Sequence, residues 1–347
     1  MNKKNREKDL ITSKSFRDIA DLIYSETITM SEFEQLDKNN LIVVSTTNTS
    51  DHKSVTYKRR QFEIHENDII FSNTELIDDL FFHLKKVSNV NNITLITSES
   101  DDPISKNLYL KKPDSIKKWF STNIAYNDEN LFPIPLGLAN SYSKKNINKE
   151  DLKNSIAFDF SEDKSLKMLI NFRVNTNFSE RRKIYEKYKG IDWVDIDNPD
   201  NNIDEYIAKI KKNDLVLCPW GNGIDTHRIF ETLYLGSIPV TKYHPTYEYL
   251  KELPVIFIDN MLKINFEELN IKYEDIRKSH LNLEKLNPEW WRNLINNNEE
   301  RVYIVTLEEN QAETSMLHKK YTNKLKKRSR VKKLKYFLRR FRKFFKL

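Results

Sequence analysis

The sequence predicts an α/β protein of two doubly wound domains, followed by a basic amphipathic helix. Three observations carry this. Short apolar runs alternate with helical periodicities in two series, before and after a polar stretch at 138–164. The 347 residues suit about two domains. Val331, Leu334, Phe337, Leu338, Phe341 and Phe345 share one helical face in a segment otherwise rich in Lys and Arg. The expected organisation is a disordered N-terminus (1–14), a first Rossmann-like domain (15–150), a second (151–315) and a tail (316–347).

In the first series, Ile19, Leu22 and Ile23 are spaced for a helix within 16–35. Residues 41–44 read as a buried strand feeding a polar loop, and 68–71 repeat that form. Residues 75–87 carry Leu76, Leu80, Phe81 and Leu84 on one helical face. Residues 93–96 are a strand opening into the polar loop 97–102. Residues 116–120 read as helical, and 133–137 as rigid and extended, with two prolines.

The second series runs strand 166–171, then helix 179–188 with Ser179 as its cap and Glu180 in the first turn. Next come strand 194–196, helix 203–211, strand 214–218, helix 226–235, strand 237–240, a helical turn at 247–250 and strand 255–258. In doubly wound sheets ligands sit beyond the carboxyl ends of the strands. The loops after Val44, Ile96, Asn171 and Cys218 are therefore the places to look.

Charge narrows the partners. The net +7 comes from 58 Lys+Arg and 51 Asp+Glu. Fifteen of those bases lie from Lys319 onward, where no acid occurs, so the tail carries +15 and the rest of the chain −8. A body of that sign does not bind nucleic acid through a general basic surface. The Phe-bearing stripe favours an anionic membrane surface as the partner of residues 319–347. Cys218 is the one cysteine, so no internal disulfide forms, which fits a reducing compartment. No run approaches the roughly 18 apolar residues of a membrane span. The expected location is cytoplasmic, peripheral on a membrane.

Five glycines occur, and Gly221, Gly223 and Gly236 fall close together. They punctuate residues 217–240, a strand, glycine loop, helix, turn and strand. The loop leads into a helix N-terminus, a natural anion site. Arg228 in the first turn can give two hydrogen bonds to a phosphate. Glu231, three residues on, shares its face and can accept from two ribose hydroxyls. The third glycine of a dinucleotide fingerprint is absent, since position 226 is Thr, and there is no GxxxxGK[ST]. Asp195 and Asp197 form a DxD pair without further metal ligands nearby and read as a solvated turn. The seven histidines show no metal spacing.

The set Gly221-Asn222-Gly223, Asp225, His227-Arg228, Glu231, Gly236 and Pro239-Val240 resembles the nucleotide-sugar segment of exostosin-like glycosyltransferases. The stretches 117–123, 133–138, 169–172, 176–177 and 180–181 are similar to further parts of that family. The resemblance implies a GT-B fold, two Rossmann-like domains facing a cleft, with donor on the second domain and acceptor on the first. It implies that Arg228 holds the donor diphosphate and Glu231 the ribose, with Arg173 and Arg181 as further phosphate ligands. No metal or other cofactor is expected. The substrates implied are a nucleotide sugar and a glycan or lipid-linked acceptor.

For the base that takes the acceptor proton, Asp101 stands first, Glu99 second and Asp51-His52 third. One alternative is a fucosyltransferase-like GT-B enzyme, which would carry Glu-Lys where this chain has Glu231-Thr232. Another is a non-catalytic nucleotide- or glycan-binding protein of the same fold.

Overall fold

The computed structural model describes residues 10–48, 53–143, 146–152, 158, 166–197, 199, 202–296 and 304–344. Two sheets organise them. The first is built from β1 (Leu22–Ile28), β2 (Leu41–Asn48), β3 (Lys53–Arg59), β5 (Ile69–Asn73), β6 (Ile93–Ser98), β7 (Ile116–Ser121) and β8 (Leu131–Pro133), while β4 (Gln61–His65) stands outside it. The sheet order is β2-β3-β1-β5-β6-β7-β8. From β1 to β8 neighbours are parallel, whereas β3 runs antiparallel to both β1 and β2. Helices α1 (Ser13–Arg17), α2 (Met30–Glu34), α3 (Ile77–Leu84) and α4 (Lys106–Tyr109) connect or cover these strands.

The second sheet holds β9 (Met168–Ile170), β10 (Val194–Ile196), β11 (Leu215–Leu217), β12 (Ile238–Lys242) and β13 (Ile256–Ile258). It is wholly parallel, in the order β10-β9-β11-β12-β13. That is a doubly wound order, with its switch point between β9 and β11. Helices α5 (Phe178–Tyr188), α6 (Ile203–Lys212) and α7 (His227–Tyr234) connect its strands, and α8 (Phe266–Lys278) and α9 (Pro288–Ile295) follow. The chain then returns to the first half. There β14 (Ile304–Glu308) pairs antiparallel with β4, and α10 (Gln311–Phe344) runs on from it. The return begins inside the segment assigned from sequence to the second domain.

Five expectations change. Residues 10–14 are not disordered: Leu10 and Ile11 are buried. The Ile11 amide donates to Tyr234 Oη at 2.8 Å, and Phe16 meets Trp291 edge-on, so this segment wedges between the halves. The helix expected at 16–35 is the strand β1 flanked by two short helices. Its central residues 24–26 are all buried, since both neighbouring strands and both faces cover them. Residues 41–44 begin an exposed edge strand, not a buried one. Residues 116–120 are strand β7, not helix: Trp119 and Phe120 pair with Leu95 and Ile96. Helix α5 is capped at Asn177, which places Ser179 inside the helix.

The tail is also less free than its charge suggests. Lys320 pairs with Asp78, Lys324 with Asp102, and Arg328 with both Glu75 and Asp102. Acids of the first half thus neutralise the first turns of the basic stripe. Val331 and Leu334 are exposed. The side chains of Phe337, Leu338 and Phe341, and all of Phe345, lie outside the described residues. Among the described residues no helix is long and apolar enough to cross a membrane.

Candidate functional site

Loops beyond the carboxyl ends of both sheets meet around one cavity of about 590 Å³. The first sheet contributes Glu99, Ser100 and Asp101 after β6, and Asn123 after β7. The second contributes Asn171 and Arg173 after β9, Gly221 to Gly223 after β11, and the start of α7. All eleven residues singled out from sequence line it: Glu99, Asp101, Arg173, Arg181, Gly221, Asn222, Gly223, Asp225, His227, Arg228 and Glu231. The third base candidate, Asp51-His52, lies outside the described residues.

The glycine loop touches the first half directly. A Cβ on Gly223 would come within 3.1 Å of Asp101 Oδ1 and 3.3 Å of Asn123 Nδ2. A side chain there would be tightly crowded, and Asp101 and Asn123 would have to give by a few tenths of an ångström. Asn123 Oδ1 accepts the Asp225 amide at 2.7 Å, a second tie across the cavity.

The two arginines of the site differ. Arg181 is buried, and its guanidinium is absorbed by protein acceptors. Nε donates to the Trp220 carbonyl at 3.0 Å, one terminal nitrogen to the Pro219 carbonyl at 2.7 Å, and the other to the Arg173 carbonyl at 3.1 Å and Thr176 Oγ1 at 2.6 Å. Burial and nearby Arg228 lower its pKa to about 9. Arg181 therefore shapes the glycine loop from the wall of the cavity, and these four bonds use four of its five N–H groups.

Arg228 is the opposite case. Its Nε is shut off from solvent and has no protein acceptor. No ion pair within 4.0 Å joins it to Glu231 among the described residues, which removes the intrahelical pair as its explanation. Burial works against its charge, but the Tyr206 oxygen and Glu231 outweigh that and raise its pKa. Thr226 Oγ1, two residues back at the N-cap of α7, is also buried without a partner. Orphaned buried polar groups are rare and costly, at about 1–3 kcal/mol each. Of the buried side-chain atoms left unpaired among the described residues, Arg228 Nε and Thr226 Oγ1 belong to residues that line this cavity. Glu231 is buried and accepts from Tyr206 Oη at 3.0 Å.

Asp225 and His227 turn out to position backbone. Asp225 accepts from the Leu136 amide at 2.9 Å, the Thr226 amide at 2.8 Å and Tyr249 Oη at 3.0 Å. Burial pushes its pKa up to about 7, against those three donors. His227 Nδ1 lies 2.8 Å from the Gly137 carbonyl. A carbonyl only accepts, so Nδ1 carries the proton. Gly137 has φ +70° and leaves no room for a Cβ beside the Ile11 carbonyl.

Two non-glycine residues of the site have positive φ, Glu99 at 66° and Asn123 at 56°. Glu99 Oε2 accepts the Thr27 amide at 2.6 Å and Asn73 Nδ2 at 3.4 Å. Burial first, and then the nearby Glu26 carboxylate, push its pKa up to about 8. Next to it, Asp102 is held low by Lys324 and Arg328 against burial. Helix α10 thereby braces the 99–102 loop. This contact joins residues more than 200 positions apart, and no local pattern signals it.

Three other sequence candidates resolve simply. Asp197 is bonded by Lys209 and by Asn171 Nδ2 at 2.8 Å, and Asp195 lies 3.8 Å from Lys167, so the DxD acids are engaged by cations. Among the described residues no group of three or more His, Cys, Asp or Glu could hold a metal. Cys218 is buried, and burial pushes its thiol up to about 12.

The family model for the RXYLT1 C-terminal domain matches residues 158–266, a minority of the chain that spans β9 to the start of α8. The match supports a glycosyltransferase family loosely, and it points to a transferase. No match was found among curated proteins. One similar solved structure is the E. coli RcsC C-terminus (residues 700–949), containing a linker region and phosphoreceiver domain. It is 13% identical and covers 60% of this chain and 92% of its own, with a TM-score of 0.22, a superposition too loose to carry an argument.

Proposed function

We propose that the protein is a nucleotide-sugar-dependent glycosyltransferase of GT-B type, with the donor on the second sheet and the acceptor on the first. The observation that carries this is the buried, unpartnered Nε of Arg228 at the start of α7, beside a glycine loop that opens on the cavity. A diphosphate supplies the acceptors that Arg228 and Thr226 lack, and the helix N-terminus adds favourable potential. Glu231, on the same helix face, takes the ribose hydroxyls. The leaving diphosphate is then stabilised by side chain and helix dipole without a metal.

The acceptor is a glycan or lipid-linked chain. The exposed Val331 and Leu334 among tail bases support docking of the distal part of α10 on an anionic membrane, at the cytoplasmic face. The test is turnover of a panel of UDP-, GDP- and CDP-sugars, followed by release of nucleoside diphosphate. Release from one class supports the reading; neither binding nor release across the panel removes it. Flotation with anionic vesicles, with and without residues 329–347, tests the docking separately.

A further inference from the structure

A second cavity, of about 130 Å³, lies behind the large one on the side of the first sheet. Glu99, Asn140 and Tyr142 line both. Of these three, an amide takes no proton near neutrality. Burial and the Glu99 charge push the Tyr142 phenol upward, which leaves it protonated. Glu99 is thus the one proton acceptor in the wall that the two cavities share.

Its geometry suits that task. Oε2 is anchored by the Thr27 amide and Asn73, while Oε1 has no protein partner among the described residues. The positive φ of Glu99 is a conformation held only where the surroundings enforce it. Asp101, by contrast, lines the large cavity alone and sits against Gly223.

We propose that the small cavity is the entrance for the acceptor's reacting unit and that Glu99, not Asp101, takes the proton of its hydroxyl. This rests on the nucleotide-sugar reading of the large cavity. The small cavity is lined by donors, Lys14, Arg17 and Lys149, and by acceptors, Glu26, Glu32 and Glu150. Hydroxyls donate and accept at once, so a neutral, hydroxyl-rich unit such as a sugar or polyol fits. Lys14 is already paired with Glu32 and Arg17 with Glu26, each at 3.0 Å, so an apolar group would only desolvate these pairs, and a polyanion would face three carboxylates. In the step, the acceptor O–H bond breaks and its proton passes to Glu99 Oε1. The oxygen bonds to the anomeric carbon. The bond from that carbon to the diphosphate oxygen breaks, and its electron pair leaves with the nucleoside diphosphate.

Glu99 acts only when ionised, so turnover rises with pH through about 8. The charged and titratable groups facing it are Glu26, which raises that value, Arg17, which lowers it, and Tyr142. The experiment uses the full chain, whichever nucleotide sugar of the panel it turns over, and neutral methyl glycosides as acceptors. Glu99→Gln is expected to slow transfer by about 10²–10⁴ while UDP or GDP affinity and melting temperature stay unchanged. Glu26→Gln is expected to move the acidic limb of the rate profile to lower pH, a shift that a purely structural role would not produce. Ser141→Trp, at the mouth of the small cavity alone, is expected to raise the acceptor KM and spare nucleotide affinity. A wild-type protein that turns over while Glu99→Gln stays within about threefold of it overturns this assignment alone. An unchanged acceptor KM in Ser141→Trp overturns the entrance. A wild-type protein that binds no nucleotide sugar overturns this proposal and the donor reading together.

Discussion

The molecule buries ionisable groups in two places and treats them in opposite ways. Where β14 returns to the first half, Lys58 Nζ sits 2.8 Å from both Asp79 and Glu309, and His83 Nε2 sits 2.8 Å from Glu309. Lys58 is only 2% exposed. Burial opposes ionisation of Glu309, but His83, Lys58 and Thr314 overcome it and hold its pKa at about 2. In the cavity between the sheets no cation is bonded to Glu99 or Asp225, and burial carries them up to about 8 and about 7. The arginines repeat the contrast within the site, since four protein bonds hold Arg181 while Arg228 Nε has none. The difference separates charges that hold the chain together from charges left unbalanced for a ligand or a proton.

The largest expected effect breaks the first region. Glu309→Ala leaves Lys58 and His83 without their shared partner and should cost about 3–5 kcal/mol in urea unfolding. A loss under about 1 kcal/mol would mean that the cluster does not anchor the return segment.

The next sharpens the contrast between arginines. Arg181→Ala leaves the Pro219, Trp220 and Arg173 carbonyls short of a donor and should cost about 2–3 kcal/mol. Arg228→Ala, which breaks no protein hydrogen bond at Nε, should stay within about 1 kcal/mol of wild type.

The pH dependence of stability should show both regions with opposite signs. Glu309 is depressed below its unfolded value, so its contribution is present above about pH 4 and is lost as pH falls toward 2. Asp225 and Glu99 are raised, so theirs is full below about pH 4 and is lost as pH rises through 7 and 8. Asp225→Asn should flatten the alkaline slope in unfolding free energies measured between pH 5 and about 9. An unchanged slope would contradict the burial of Asp225.

The smallest effect belongs to a pair outside both regions. Arg182 and Glu186 are exposed on α5, and Arg182→Ala should change stability by at most about 0.5 kcal/mol.

Much of the second half was legible in the sequence because its signals are local. The strand, loop and helix around Arg228 are specified within a short segment by glycines, a helix start and i,i+3 spacing. The first half was harder. Ile116, Trp119 and Phe120 have helical spacing, yet Ile116 pairs with Ile93 in a strand whose neighbours lie far away in sequence. Tyr24, Ser25 and Glu26 do not alternate because β1 is covered on both faces, so no period-2 pattern marks it. The β14–β4 pairing and the clasp of Lys324 and Arg328 on Asp102 join distant segments, which no spacing reveals. At the site, residue identity was legible but division of labour was not. Whether an arginine nitrogen meets carbonyls or is left unpaired depends on where the loop lies.

The most direct measurement is calorimetric titration of UDP and GDP into the wild-type protein and Arg228→Ala, with unfolding curves on both. The expected result is binding by the wild type and a loss of roughly 30–100-fold in the variant at nearly unchanged stability. Equal nucleotide affinity in the two proteins, or none in either, would contradict the assignment of the cavity as a diphosphate site.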